Sequence, residues 1–252
     1  MLEIFILSII QGLTEFIPVS SSSHLIIFSD FFEFSNQSLA VDVSLHIGSF
    51  FAVIVYFRKD IINFLRNKKL FLQIVVASIP VMLVGYILVK LNIIEQLRNI
   101  IVIGWTTIIF GILLFISDKI IANKTLENNF NYKSAIFIGF FQVLSLVPGV
   151  SRSGITISAG RFMNFNRYDS AKISFLLSIP TLAAVSFFGL NEIISSENLN
   201  FSLINLTSIF LSFIFSYITI KYFLIFIKNF NFNIFIIYRI ILSLFIFYII
   251  YS

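Results

Sequence analysis

Gln11-Gly12-Leu13-Thr14-Glu15-Phe16-Ile17-Pro18-Val19-Ser20-Ser21-Ser22-Ser23-His24 lies inside an apolar segment covering 2–29. A spanning helix does not read this way. Proline has no N–H and its ring clashes with the preceding turn, so the helix breaks at Pro18. The serines that follow suit the N-cap of a new helix, with His24 about one turn inside it. Pro148-Gly149-Val150-Ser151-Arg152-Ser153-Gly154-Ile155-Thr156 repeats the pattern inside a second apolar segment, 134–160. Again a helix should start at the serine, here with an arginine in its first turn. Both segments read as re-entrant helical hairpins.

The hairpins belong to an internal repeat. Ile10-Gln11 through Ser21-Ser22 parallels Phe141-Gln142 through Ser151-Arg152, and Ser44-Leu45 parallels Ser174-Phe175. After each hairpin come three apolar runs, near 39–57, 70–89 and 100–117, then 172–190, 203–227 and 232–251. Runs of this length match the bilayer core, and none shows the ten-residue alternation of a barrel strand. The expected fold is an all-α polytopic membrane protein, one membrane domain over 1–252, with repeats at about 1–120 and 130–252.

Loop charges set the expected topology. Arg58, Lys59, Arg66, Lys68 and Lys69 stand against Asp60, and Lys119, Lys124 and Lys133 mark 118–133. Both loops should face the cytoplasm, as should 161–172 with Arg161, Arg167 and Lys172. The acidic loops 30–38 and 191–202, the latter with Glu192 and Glu197, should face outward. Segment 134–160 must then enter and leave on one face. Three spans separate the hairpins, so the repeats have inverted topology, the first hairpin enters from outside, and both termini are outside; the alternative is that the first segment is a kinked full span, which puts the N-terminus inside.

Composition narrows the function. Of 252 residues 58% are hydrophobic and only 12% charged, half the usual share for a soluble domain. The net charge of +5 reflects loop cations near lipid headgroups rather than nucleic-acid binding. With no cysteine, disulfides, thiolate metal sites and cysteine nucleophiles are excluded. Met1 to Ile10 lacks a basic flank and carries Glu3, so no cleaved signal peptide is expected. The chain has neither a phosphate-binding G-x-x-x-x-G-K-[ST] loop nor H-E-x-x-H.

Ionisable groups at membrane depth cost roughly 2.5–3.5 kcal/mol each on insertion scales and need a reason. Gln11 and Glu15, four apart, share a helix face. Helix N-termini bind anions through free N–H groups and the dipole. Two such N-termini brought together with Arg152, several hydroxyls, Glu15 and His24 make a phosphate site with room for a divalent cation. Arg152 could clamp phosphate oxygens, Glu15 could hold Mg²⁺ or Ca²⁺ with Gln11 as a neutral ligand, and a serine or His24 could attack phosphorus or relay a proton. Ser20 and Ser22 are further candidates for the phosphate. Asp42 and His46 read as a structural or interfacial pair, and Arg239 as a contact to a phosphate or a nearby carbonyl.

These residues together resemble the bacterial undecaprenyl-diphosphatases, the bacitracin-resistance membrane proteins. Gln11 through Glu15 resembles the family's [Glu/Gln]-x-x-x-Glu region. Pro18-Val19-Ser20-Ser21 and His24 resemble its Pro-Val-Ser-Ser-x-Gly-His run, and Pro148 through Thr156 its Pro-Gly-x-Ser-Arg-Ser-Gly-x-Thr signature. Leu45-His46-Ile47-Gly48, Phe175 through Pro180, and Tyr238-Arg239 are also similar. Ser23 departs from the pattern, replacing the family glycine. Lipid phosphatases of the phosphatidic-acid type, which the serine run superficially resembles, have a histidine where this chain has Ser158. The resemblance implies hydrolysis of undecaprenyl diphosphate to the monophosphate, recycling the carrier for peptidoglycan synthesis in a bacterial plasma membrane. By position, Ser21 is the implied nucleophile, with His24 as the alternative nucleophile or base. Glu15 and Gln11 serve metal and proton transfer, Arg152 binds the diphosphate, and Ser151, Ser153 and Thr156 line the site, which opens outward. The expected partners are the polyprenyl diphosphate and the bilayer; a homodimer is compatible with the chain. The rival is a lipid or anion transporter on the same inverted-repeat scaffold. A plain structural scaffold leaves Glu15 and Arg152 unexplained.

Overall fold

The computed structural model describes residues 1–34, 38–64, 68–91, 93–195 and 203–251. It is helical throughout, and among the described residues the one β-bridge pairs Lys124 with Phe165. Helices α1 (Leu2–Thr14) and α2 (Ser21–Phe32) form the first hairpin; α9 (Tyr132–Val143) and α10 (Arg152–Phe162) form the second. Each arm rises only about 16–20 Å, against a hydrocarbon core of about 30 Å, so no arm crosses. Six helices are long and apolar enough to span: α3 (Leu39–Tyr56), α5 (Lys68–Lys90), α7 (Ile100–Asp118), α11 (Arg167–Ser195), α12 (Leu203–Asn229) and α13 (Asn233–Tyr251). Short helices α4 (Arg58–Phe64), α6 (Ile93–Leu97) and α8 (Leu126–Asn129) lie in the connections.

The order of one hairpin and three long helices therefore occurs twice. Helix α11 starts earlier than the apolar run suggests because Asn166 caps it. The Asn166 side chain accepts from Asp169 N at 2.8 Å and donates to the Asp169 carboxylate at 2.6 Å. Arg66 and Glu197, used above for topology, lie outside the described residues.

Packing interleaves the two halves. Helix α1 packs on α12, and its counterpart α9 packs on α5; α3 lies between α12 and α11, and α7 between α13 and α10. Lipid tails are as apolar as leucine, so close backbone approach and polar pairing must hold such helices together. At the α3–α12 seam a Cβ on Gly48 would collide with the Ile209 carbonyl. Next to it, Ser49 Oγ lies 3.2 Å from Ser212 Oγ and 2.9 Å from Ser216 Oγ, bonds worth about 0.6 kcal/mol each.

Two buried charges tie the ends of the helices together. The Asp118 carboxylate accepts from Arg167 Nε at 2.6 Å and from Phe232 N at 3.3 Å, with Arg161 Nε at 3.8 Å. This joins the ends of α7, α10 and α11 to the α12–α13 connection. Arg239, fully buried on α13, gives all its donors to backbone carbonyls: Thr107 (3.1 Å), Pro18 (3.2 Å), Val150 (3.2 Å), Gly149 (2.8 Å) and Thr106 (3.5 Å). Of the two roles open to Arg239, carbonyl contact is the one seen. It pins both hairpin breaks to the same helix pair.

Candidate active site

The breaks build the site. After Pro18 the chain turns and Ser20 is the N-cap of α2; after Pro148, Ser151 is the N-cap of α10. Both N-cap serines have positive φ, +85° and +69°, a conformation that costs an L-residue on the order of 1–3 kcal/mol. The Arg239 bonds to Pro18, Gly149 and Val150 hold the flanking peptides and keep these turns in place. Gly149 has φ +91°, and a Cβ there would collide with Thr106 Oγ1.

The caps differ. Ser151 Oγ accepts from Gly154 N at 3.1 Å, as an N-cap should. Ser20 makes no such bond. Its hydroxyl lies 3.0 Å from Ser23 Oγ and 3.4 Å from Ser22 Oγ. Ser23 is buried and fits without displacing α2; it supplies a hydroxyl at the helix position where α10 has Gly154.

The two hairpins meet through one carboxylate. Arg152 Nη2 donates to Glu15 Oε1 at 2.6 Å, while Ser21 Oγ and Gln11 Nε2 donate to Glu15 Oε2 at 2.6 and 3.1 Å. Arg152 also donates to the Ser174 carbonyl at 3.3 Å and lies over the Phe16 ring, 5.8 Å from its centroid. Phe16 in turn packs edge-on against Phe175, which roots the site in the core. A cation in the first turn of a helix opposes the dipole, so Arg152 is stable there only beside an anion.

A cavity of about 210 Å³ opens over this junction. Its polar wall includes Glu15, Ser20, Ser21, Ser22, Ser151 and Arg152; its apolar wall includes Val81, Leu146, Leu182 and Val185. Such a space takes a polar head and offers a lipid-like edge for a chain leading out. A larger recess of about 620 Å³ surrounds Asp118, Arg161 and Arg167. The guanidinium groups there are engaged by Asp118 and by backbone carbonyls, so the smaller cavity is the better candidate for chemistry.

Four expected site residues stand behind the wall. Gln11 reaches Glu15 and, at 3.4 Å, Ser49; its Oε1 has no hydrogen-bond partner. Ser153 donates to the Ile17 carbonyl, 2.8 Å, joining the hairpin tips. Thr156 Oγ1 donates to the Arg152 carbonyl (2.8 Å) and lies 2.7 Å from Ser174 Oγ, fixing the turn that carries Arg152. His24, 3% exposed, has Nδ1 2.6 Å from the Ser20 carbonyl and Nε2 2.6 Å from the Tyr238 hydroxyl. A carbonyl only accepts, so Nδ1 carries the proton, and in the neutral ring Nε2 accepts from Tyr238.

Among the lining residues that escaped selection from sequence are His46 and Gln142. His46 lines the cavity, its Nδ1 2.8 Å from the Asp42 carbonyl. Gln142 lines it from α9; its only signal was its match to Gln11.

The donor set limits what metal could bind. Among the described residues no group of three or more His, Cys, Asp or Glu forms a ligand cluster. Glu15 and the unpartnered Gln11 amide oxygen fit a cation that takes its remaining ligands from a phosphate substrate and water, as Mg²⁺ commonly does, not a closed protein cage.

Comparison with known proteins adds a separate line of support. The family described as "Bacitracin resistance protein BacA" matches residues 4–245. A relative from Pelagibacter ubique (strain HTCC1062), named undecaprenyl-diphosphatase, is 49% identical over 253 residues, covering 100% of this chain and 98% of that protein. Proteins of the same name from Aliivibrio salmonicida (strain LFI1238) and Jannaschia sp. (strain CCS1) are 40% and 33% identical, covering 96% and 99% of this chain and 95% and 98% of their own lengths.

Proposed function

The chain belongs to the bacitracin resistance protein BacA family, and we propose that it is a multi-pass membrane phosphatase. It hydrolyses undecaprenyl diphosphate to undecaprenyl phosphate and phosphate, and so recycles the carrier lipid for cell-envelope synthesis. The observation that carries the reading is the chain Ser21–Glu15–Arg152, held at the cavity by two 2.6 Å bonds, one within the first hairpin and one across to the second. A nucleophile, a base and a phosphate-binding cation lie within reach of one another.

The diphosphate enters with its prenyl tail along Val81, Leu182 and Val185. Its oxygens replace Glu15 as the partner of Arg152, assisted by the N-termini of α2 and α10. Glu15 then keeps Ser21 and Gln11. Ser21 Oγ attacks the terminal phosphorus as its proton passes to Glu15, the bond to the bridging oxygen breaks, and undecaprenyl phosphate leaves. Water then attacks the phosphoserine and the P–Oγ bond breaks; Ser21 Oγ recovers its proton from Glu15, Glu15 takes one from the water, and phosphate leaves with the other, after which Glu15 loses its proton to solvent. Arg152 stabilises the charge in both steps, in a preorganised, water-poor site where such contacts weigh most. His24 positions the start of α2 through Ser20. A divalent cation, Mg²⁺ or Ca²⁺, would be held by Glu15 with Gln11, and its chemistry there is neutralisation of phosphoryl oxygens.

Phosphate release from a C55 polyprenyl diphosphate tests this, with wild type and Glu15→Gln in detergent, each with Mg²⁺ or EDTA. Metal-dependent release lost in Glu15→Gln is expected. A folded wild type that releases no phosphate overturns the reading in favour of a transporter. The protein sits in the bacterial plasma membrane with the cavity open to the outside. Because the chain lacks cysteine, Glu33→Cys and Lys59→Cys can be labelled singly in intact cells. An impermeant thiol reagent should reach the first and not the second; the reverse pattern inverts the topology.

A further inference from the structure

Gln142 is fully buried in the last turn of α9 and lines the cavity beside Glu15, Ser21 and Arg152. Neither its Nε2 nor its Oε1 has a hydrogen-bond partner. A buried amide with both ends unmet is costly, and native interiors rarely keep one without a use. The nearby protein groups are already committed. Ser145 Oγ donates to the Gln142 backbone carbonyl at 2.7 Å, Ser151 Oγ caps α10, and Arg152 is paired with Glu15. The sequence match makes the contrast plain. Gln11 holds the corresponding place on α1, and its Nε2 donates to Glu15 four residues later. Four residues after Gln142 stands Leu146, which offers nothing to bond. The missing partner has to come from the cavity.

We propose that Gln142 is a substrate-binding residue of this site. Its Nε2 donates to a phosphoryl oxygen of the diphosphate head. The assignment rests on the phosphatase reading for the identity of the substrate. Arg152 then binds the head from α10 and Gln142 from α9, so both arms of the second hairpin grip it. A neutral amide suits this place, since it can donate to an anion without adding a second buried cation beside Arg152.

The test uses Gln142→Leu, which keeps the bulk and removes both polar atoms, and Gln142→Glu, which puts a carboxylate in the same place. Initial rates on C55 polyprenyl diphosphate give KM and kcat. Thermal midpoints with and without inorganic diphosphate report binding apart from turnover. Gln142→Leu should raise KM about tenfold, consistent with loss of one hydrogen bond to a charged group. Its ligand-free midpoint should stay level or rise, because no internal bond is lost, and the diphosphate-induced shift should shrink. Gln142→Glu should raise KM further. An unchanged KM with an undiminished shift in Gln142→Leu overturns the proposal. So does a fall of several degrees in its ligand-free midpoint, which would mark a structural glutamine. If wild type shows the diphosphate shift, loses it in Gln142→Leu, and yet releases no phosphate, Gln142 stands as an anion contact and the phosphatase reading falls.

Discussion

The two hairpins share a backbone plan and carry opposite chemistry. Each breaks at a proline and restarts at a buried serine with positive φ, and each has its break held by Arg239. At matched places the first has Glu15 and Ser21 where the second has Leu146 and Arg152. The first hairpin thus supplies the acid and the hydroxyl, and the second the cation. The difference teaches how a repeated frame becomes a site. Folding both frames onto one helix pair puts their breaks face to face, and divergence at two positions turns a symmetric junction into one with a sign.

The strongest way to break this comparison is to remove the chemistry of the first hairpin. Ser21→Ala should lower kcat by at least about 10⁴-fold, on the scale seen when a nucleophile is deleted elsewhere. Ser22→Ala, at the exposed neighbouring position, should stay within about threefold. Equal losses at both positions in phosphate-release kinetics would remove Ser21 from its role. On the second hairpin, Arg152→Ala should cost about 10³-fold in kcat/KM, and Arg152→Lys should recover only part, since lysine lacks the planar fork. Full activity in the lysine variant would mean that a point charge suffices.

The shared pin can be tested apart from the chemistry. Arg239→Met leaves carbonyls on both breaks and on α7 unbonded, so detergent-solubilised protein should lose about 3 kcal/mol or more of stability. Activity should fall with the folded fraction. A stable but inactive Arg239→Met would move Arg239 into the catalytic group. The smallest effect expected is at Ser23. Ser23→Gly makes the start of α2 more like that of α10 and frees Ser20 Oγ to cap. A change in kcat/KM within about threefold is expected, and a tenfold gain would show that Ser23 holds the serine run in a poorer geometry.

Much of this was legible in the sequence, and the residues show why. Pro18 and Pro148 each carry a local steric rule, so the breaks could be read directly, and the length of the apolar runs located the six long helices. Glu15 and Arg152 stood out because an ionised side chain at membrane depth needs a partner. The match between Gln11 and Gln142 was visible too. Its consequence was not, because whether a buried amide is satisfied depends on neighbours far along the chain. His46 was read as half of a pair with Asp42 because the two are four apart on one helix. Spacing does not tell which way a ring turns, and the imidazole bonds the Asp42 carbonyl while lining the cavity.

The sequence alone determined a helical membrane protein with two broken segments, a family signature on each break, and a short set of polar residues worth explaining. These follow from rules that act within a few residues: proline sterics, capping, hydrophobic length and the cost of a charge in lipid. Only the tertiary structure decided which of those residues face the cavity. It set Ser21 and Arg152 on the two oxygens of Glu15, placed His24 and Thr156 behind them, committed Arg239 to carbonyls, and left Gln142 unpaired. The physical reason is that hydrogen bonds are made at 2.6–3.5 Å between atoms that lie more than a hundred residues apart in the chain, as from Arg152 to Glu15 and from Arg239 to Thr106. Helix packing alone sets such distances.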